Sequence, residues 1–358
     1  MTNLMTSIVL FDNACECMKR ICVLLAICMY CVVMHGTIYS GTCGENAQWS
    51  FDYEKEVLMI SGMGDMADFE SKDKVPWKSY TWKIGKVIIG DSITSVGANS
   101  FYTLSHCTSI VLGQSLVKIQ EKAFYNCRYF QQLIIPDKVR IIGYQAFYNC
   151  VGIKYLYIGE NIESVAALAF GGLTSLKEVK IKSLNNWLRI RFAESHSNPL
   201  YYTSNLTIDG QCVRNVVIPE GVDSLRRYTF EKLQIDSLSI PSTLQYFDIN
   251  AFSFRDSLRS ITVHTDNVVF DSRENCNALI ETATNTLIFG GNTSFIPNSV
   301  SRIGYSAFYH CSQLTSIIIP ESIQRIGKYA FSGCSQLETI TIPNSITVID
   351  NYTFQYCI

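Results

Sequence analysis

The feature that most constrains this chain is a pattern that returns every 23 residues. Phe101, Phe124, Phe147 and Phe170 are spaced by that interval, Phe230 and Phe252 make a second series, and Phe308, Phe331 and Phe354 a third. The residue before each Phe is small, as at Ala123, Ala146, Ala330 and Thr353. Apolar residues stand five positions earlier (Ile119, Ile142, Ile326) and eight positions earlier (Leu116, Val139, Ile323). Eleven positions before the Phe comes Pro or Gly, and six of the eight prolines in the chain occupy that slot. Such regularity is the mark of a repeat architecture.

Each Pro or Gly ends a short alternating run such as "TSIIIP" or "KYLYIG". Period-2 spacing rich in Ile and Val reads as a strand, and a residue without an N–H fixes where pairing stops. One unit of this size cannot enclose a core, but stacked units can, because the inward residues of each meet those of the next. About six apolar groups per unit, each contributing roughly 1.5–3 kcal/mol on full burial, stabilise the chain only when neighbours are present. The fold expected is a mainly β repeat solenoid with one parallel sheet along one side.

The sequence Leu-x-x-Ile-x-Ile-Pro, x-x-Ile-x-x-Ile-Gly, x-x-Ala-Phe-x-x-Cys, followed nearly position for position from Leu314 to Cys334, resembles the BspA-like (Treponema pallidum-type) leucine-rich repeats. The resemblance spans residues 86–358. It implies a leucine-rich repeat solenoid, display on the surface of a host-associated organism, and adhesion to host matrix proteins or to other cells.

Ahead of the repeats, residues 43–85 lack the period. "AQWSFDYEKEVLMISG" reads as a hairpin with strands around Trp49–Asp52 and Val57–Ser61. An apolar first unit needs a cover, so this segment, with Trp49, Trp77 and Trp82, is expected to be an N-terminal β-hairpin cap. Earlier still, Lys19 and Arg20 precede an apolar run from Ile21 to Met34 and then small and polar residues. This is the layout of a secretory signal peptide over 18–40, cleaved near Ser40 and too short for a comfortable membrane span. No stable transmembrane span is expected after its removal. The repeat phase breaks twice, over about 182–213 and about 264–296. Asp209-Gly210 in the first break is a hairpin turn signal, and strands are expected near Ala278–Glu281 and Thr286–Phe289 in the second. Both resemble decorated units, since the phase resumes at Pro219 and Pro297. The chain stops at Ile358 in mid-repeat, which reads as a truncated product or as an end that packs on another molecule.

Fourteen cysteines would suit an exported, disulfide-bonded protein. Five of them lie within residues 1–31, however, and Cys127, Cys150, Cys311, Cys334 and Cys357 share one repeat slot, three after the Phe. Parallel side chains stacked at strand spacing point the wrong way to bridge one another, so small buried thiols are expected there. Cys43, Cys107, Cys212 and Cys276 lie outside that slot and receive no pairing.

The formal net charge of −2 opposes a nucleic-acid partner, which requires a basic face. No catalytic, metal-binding or phosphate-binding motif is present. The polar run Ser195-His196-Ser197 reads as loop, and Asp266, Asp271 and Glu274 lack the glycine turn of a calcium loop. No cofactor, metal or enzymatic activity is expected.

A binding surface is the better prospect. Two residues before each Pro or Gly the side chain points away from the core, giving an outward row that includes Ile88, Val111, Ile134, Tyr157, Phe295 and Ile318. A more polar row lies beside it, with Tyr155 as its aromatic member. An exposed apolar line of this kind suits protein recognition, although the same residues also favour strands wherever they occur. The expectation is a secreted or cell-surface binding protein whose sheet face holds an extracellular protein or glycan, such as a host matrix component. Two alternatives are a self-associating structural repeat protein and an enzyme built on the inserted segments.

Overall fold

In the computed structural model, residues 37–357 are described. Their architecture is a β-solenoid whose turns stack along one axis. It begins with an antiparallel meander of Ile38–Thr42, Ala47–Asp52 and Val57–Gly62. The alternation seen in the sequence buries Ala47, Trp49 and Phe51 from one strand and Leu58 and Ile60 from the next. Val57–Gly62 then pairs in parallel with Lys86–Ile89, so the meander passes directly into the first repeat strand. Ile38–Thr42 lies ahead of the 43–85 segment and pairs with Ala47–Asp52 from Ile38↔Asp52 to Thr42↔Gln48. Cleavage at Ser40 would cut through that strand. The rest of the proposed signal segment lies outside the described residues.

Two rows of parallel strands run along the solenoid, where the sequence led us to expect one. The first contains the alternating runs, such as Gln132–Ile134, Tyr155–Tyr157 and Glu178–Ile181, paired in register. The second consists of two-residue strands such as Lys118–Ile119, Ile141–Ile142 and Ser164–Val165, each supplying the apolar residue five before the Phe. Gly143 and Gly327, immediately after strands of this second row, have no room for a side chain. A Cβ there would fall 2.7 Å from the backbone of the preceding unit. The first row is also not continuous. Its pairing stops after Ser109–Val111 and resumes at Gln132–Ile134, with further segments at Asn215–Val217 to Ser260–Val263 and at Ser316–Ile318 with Thr339–Thr341.

Between the rows lie the phenylalanines. Phe101, Phe124, Phe147 and Phe170 stack at centroid distances of 5.1, 5.3 and 5.7 Å, and Phe308, Phe331 and Phe354 at 5.1 and 5.6 Å. These separations are somewhat wider than the strand spacing of about 4.7–4.9 Å, one ring per unit. Each stacked pair contributes about 0.5–1.5 kcal/mol beyond the area it buries.

Backbone bonding follows the same beat. The amide of each Phe donates to the carbonyl of the residue before the next Phe: Phe101 to Ala123, Phe124 to Ala146, Phe147 to Ala169, Phe308 to Ala330. The first unit of each series therefore offers a carbonyl with no preceding Phe to serve it, and a buried carbonyl needs a donor. Three side chains meet that need. Trp77 Nε1 donates to Ser100 O at 3.0 Å, Trp187 Nε1 to Thr229 O at 2.9 Å, and Arg255 Nη1 to Ala307 O at 2.7 Å. At Thr229 the Asn198 amide also contributes, at 3.2 Å, and at Ala307 the Gly290 amide, at 2.8 Å.

The cysteine slot has a parallel role. All nine cysteines among the described residues are free thiols. Cys127, Cys150, Cys334 and Cys357 each direct Sγ at the carbonyl of a Phe one unit back, at 2.9–3.2 Å. Burial pushes these thiols up from their ordinary pKa, and takes Cys311, in the same slot, to about 12.

The two phase breaks are built differently. The first holds a one-turn helix, Leu184–Leu188, capped by Ser183. After it, Leu206–Ile208 rejoins the first row and folds back as a hairpin with Gln211–Cys212. Asp209 and Gly210 make the turn with φ of 50° and 75°, the left-handed pair such hairpins require. The second break carries the hairpin Ala278–Glu281 and Thr286–Gly290. Both of its faces are buried. Leu279 and Phe289 join the long N-terminal core, whereas Ala278, Ile280 and Leu287 join a separate core that runs on through Phe308 and Phe331.

Candidate functional site

Strand register assembles the outer face of the first row. Met59 pairs with Ile88 and Ile88 with Val111. Beyond the interruption, Ile134 pairs with Tyr157 and Tyr157 with Lys180, while Gln132, Tyr155 and Glu178 form the adjacent line. Val111 is 45 % exposed, Ile134 52 % and Tyr155 39 %. Ile88 and Tyr157 are half-buried. The N-terminal half of the sheet thus gathers Ile88, Val111, Ile134, Tyr155 and Tyr157 on one face. Phe295 and Ile318 are exposed as well, but they lie in the C-terminal section, past Ser239 and Thr262, and are not part of this cluster.

Two contributors escaped the sequence reading. Met59, an exposed residue of the cap, continues the row past Ile88. Its signal was available in "VLMISG", where it occupies the outward phase between Leu58 and Ile60. Tyr129, also exposed, stands beside Ile134 at the interruption between Ser109–Val111 and Gln132–Ile134. There the two unpaired strand edges leave a shallow cleft of about 480 Å3, with Ser109, Ile110 and Gln132 in its walls.

Charge frames the apolar cluster. Lys180 Nζ lies 4.9 Å from the Tyr157 ring centroid and 3.5 Å from Glu178 Oε2, a cation–π contact with an acidic neighbour. Hydrogen bonding to Tyr157, ahead of the nearby Glu178 charge, holds the Lys180 ammonium above its usual pKa. Thr207 Oγ1 donates to Glu178 Oε1 at 2.8 Å. Lys182 bridges Asp137 and Glu160 at 2.6 and 3.0 Å. A second cleft, about 270 Å3, lies here between Ile134, Tyr157, Ile181 and Gly210.

Most of the polar groups singled out in the sequence are engaged in structure, while Glu274 is exposed. Ser195 Oγ donates to Glu231 Oε1 at 2.7 Å, and Ser197 Oγ accepts from the Glu194 amide in a capping box. His196 lies against the Tyr201 ring, 4.1 Å between centroids. Asp271 is bound by the Arg273 guanidinium at 2.9 and 3.1 Å. The Asp266 amide donates to His264 Nδ1 at 3.2 Å, and the Asp266 carboxylate is exposed. Among the described residues, no three His, Cys, Asp or Glu side chains converge as a metal site would require, and no helix is long and apolar enough to cross a membrane.

A solenoid with Phe, Cys and Ile-Gly at fixed slots invites comparison with known repeats. The family described as the BspA type leucine rich repeat region matches in six copies, over residues 79–198, 209–286 and 291–358. The chain belongs to this BspA-type leucine-rich repeat family. Among solved structures, a leucine rich cell surface protein from Faecalibacterium prausnitzii A2-165 is 21 % identical, with 89 % of this chain and 80 % of that chain covered and a TM-score of 0.50. A leucine-rich repeat protein from Bacteroides ovatus is 18 % identical, with coverage of 88 % and 91 % and a TM-score of 0.41. The T. pallidum leucine rich repeat protein is 14 % identical over 83 % and 90 %, with a TM-score of 0.23. At these identities the first likeness speaks to the fold alone, and the other two superpose too loosely to carry an argument. No curated protein matches this chain.

Proposed function

We propose that this BspA-type repeat chain is a secreted or surface-displayed binding protein that holds an extracellular protein partner, such as a host matrix component, on the outer face of its N-terminal sheet. The observation that supports this reading is the register-aligned apolar cluster Met59, Ile88, Val111, Ile134, Tyr155 and Tyr157. Isolated exposed hydrophobics are ordinary on any protein surface. Two neighbouring apolar patches, one ending at Val111 and the other holding both tyrosines and a charged border, have the composition of an interface centre and rim. Rigid strands hold it, so little conformational entropy is lost on docking.

The test is capture of extracellular matrix proteins by the immobilised protein, beginning at or before residue 37 so that the Ile38–Thr42 strand is kept. Wild-type protein should retain a partner that the Ile134→Ser/Tyr155→Ser variant releases. The variant should keep the wild-type fold, because both side chains lie on the outer face of the sheet. Equal capture by both proteins would remove the sheet face from consideration.

A further inference from the structure

A different site lies against the second strand row, away from the outer sheet face. A cleft of about 500 Å3 opens beside Arg140, Glu163 and Arg189, and none of its lining residues belongs to the first-row strands. Backbone bonds set its walls on successive turns. The Arg140 amide donates to Val117 O at 2.8 Å, the Glu163 amide to Arg140 O at 2.8 Å, and the Arg191 amide to Glu163 O at 2.9 Å. Arg191–Phe192 pairs with Ser164–Val165, which pairs in turn with Ile141–Ile142. Lys138 and Arg189, which both line the cleft, therefore stand on turns two strand spacings apart, about 10 Å. Both side chains are exposed, so a molecule lying in the cleft meets them without any rearrangement of the core.

The charges lining this cleft do not balance. Glu163 is held by the Arg140 guanidinium, whose Nε donates to Oε1 at 2.8 Å. Glu160 is held from outside the cleft by Lys182, at 3.0 Å from Oε1. Lys138 and Arg189 join no ion pair among the described residues, so two cations are left over. Arg189 also borders a smaller cleft with Glu220 and Asp223, but is bonded to neither. Between the two free cations lie acceptors. Glu160 and Glu163 are bonded only through Oε1 and remain partly exposed. Asn161 donates to Asp137 O at 2.9 Å, and its side-chain carbonyl is a further acceptor. Val117 and Ile162 supply apolar wall.

A fitting ligand carries negative charge for Lys138 and Arg189 and hydrogen-bond donors for the carboxylates between them. A polyphosphate offers charge without donors and would press against Glu160 and Glu163. A neutral sugar offers donors without charge. A peptide rich in Asp or Glu sets backbone carbonyls as well as amides against the two glutamates. An acidic sugar joins a carboxylate to neighbouring hydroxyls, and Arg holds a carboxylate in two-pronged fashion. Its C–H face suits Val117 and Ile162, and the volume lies within the range of small-molecule sites. We propose that this cleft binds an acidic oligosaccharide, with Lys138 and Arg189 holding carboxylates on separate rings and Glu160 and Glu163 accepting from the hydroxyls between.

This inference does not depend on the sheet-face reading, and one experiment separates them. The full chain is applied to an array of neutral, uronate-bearing, sialate-bearing and sulfated glycans. The carboxylated oligosaccharide that scores highest is then titrated calorimetrically. Binding should weaken about tenfold in Arg189→Ala and in Lys138→Ala, the range expected for one lost hydrogen bond to a charged group. Both variants should fold, because both side chains are exposed. Arg189→Lys should keep part of the affinity, since the charge stays and the two-pronged contact goes. Raising NaCl should weaken binding, as it does between exposed charges. The Ile134→Ser/Tyr155→Ser variant should bind the oligosaccharide normally. An array silent towards carboxylated glycans would overturn the proposal. So would affinity unchanged in both cleft variants, or tighter binding of a sulfated glycan or a polyglutamate peptide.

Discussion

The regular stack from Phe101 to Phe170 and the stack from Phe308 to Phe354 use the same unit but are closed in different ways. The first is sealed on its N-terminal side by indoles. Trp77 lies 5.4 Å from Phe101, nearly parallel to it, and Trp49 packs edge-on to Trp77. The second is sealed by a hairpin and by a charged side chain, Arg255, whose guanidinium sits 4.0 Å from the Phe289 ring. Both solutions satisfy the same orphan carbonyl. The apolar one does so without burying a charge, and the other leaves a guanidinium in the core with Nε unbonded. What the repeat dictates is the need for a donor at that position; the chemistry of the donor is free to vary.

That comparison can be tested where it should fail most visibly, at alkaline pH. Burial raises the thiol pKa of Cys107 to about 11 and of Cys43 to about 12 in the N-terminal part, and that of Cys311 to about 12 in the C-terminal part. In the unfolded chain a thiol ionises near pH 8.5, so above that pH the unfolded state binds fewer protons than the folded one and stability falls as pH rises. The contribution is intact below about pH 8.5 and is lost progressively towards the folded values. Urea midpoints should therefore drop steeply between about pH 8.5 and 10, and replacing Cys127 and Cys150 by Ala should flatten the drop. A flat wild-type profile would contradict thiol burial.

Next in size is Phe147→Ala, in the middle of the longer stack, which should destabilise by about 3–5 kcal/mol as a large-to-small core change. Phe354→Ala, at a half-buried terminal position, should lose well under half of that. Chemical denaturation of the two variants gives the ratio, and equal losses would mean that the stack does not act through its neighbours. A finer comparison uses the indole donors. Trp77→Phe keeps an aromatic ring and strands Ser100 O, an expected loss of about 1–3 kcal/mol. Trp187→Phe should lose less, because Asn198 still donates to Thr229 O. Smallest of all, Ile134→Ser/Tyr155→Ser should change stability by about 1 kcal/mol, the span of strand propensity on an outer face, while removing partner capture.

The repeat was legible because every unit buries the same face, so Phe, Ile and Pro recur at fixed intervals that propensity alone would not enforce. The Asp209-Gly210 turn and the strands near Ala278–Glu281 and Thr286–Phe289 could be read for a similar reason: local turn chemistry and alternation agree there. The second strand row was not legible, since Ile141–Ile142 and its equivalents are too short for period-2 spacing to register. The gap in pairing before Gln132–Ile134 also has no counterpart in the residue pattern. Arg255, in "SFRDS", has the look of a solvated turn residue, and only the packing of Phe289 and Ala307 around it makes it a core group. For the sheet face, the outward phase of Ile134 and Tyr155 was readable, but membership of Met59 depended on the cap strand joining the repeat row in parallel.

The hairpin of Ala278–Glu281 and Thr286–Gly290 has a consequence for how damage spreads. Among the described residues the other units each pack within a single interior, so removing their side chains weakens a single body. This hairpin is a party wall: Leu279 and Phe289 furnish one room, Ala278, Ile280 and Leu287 the other. A polar residue introduced on either side of it would open one interior directly and shift the backing of the other, making these few positions the place where the two halves of the molecule share their fate.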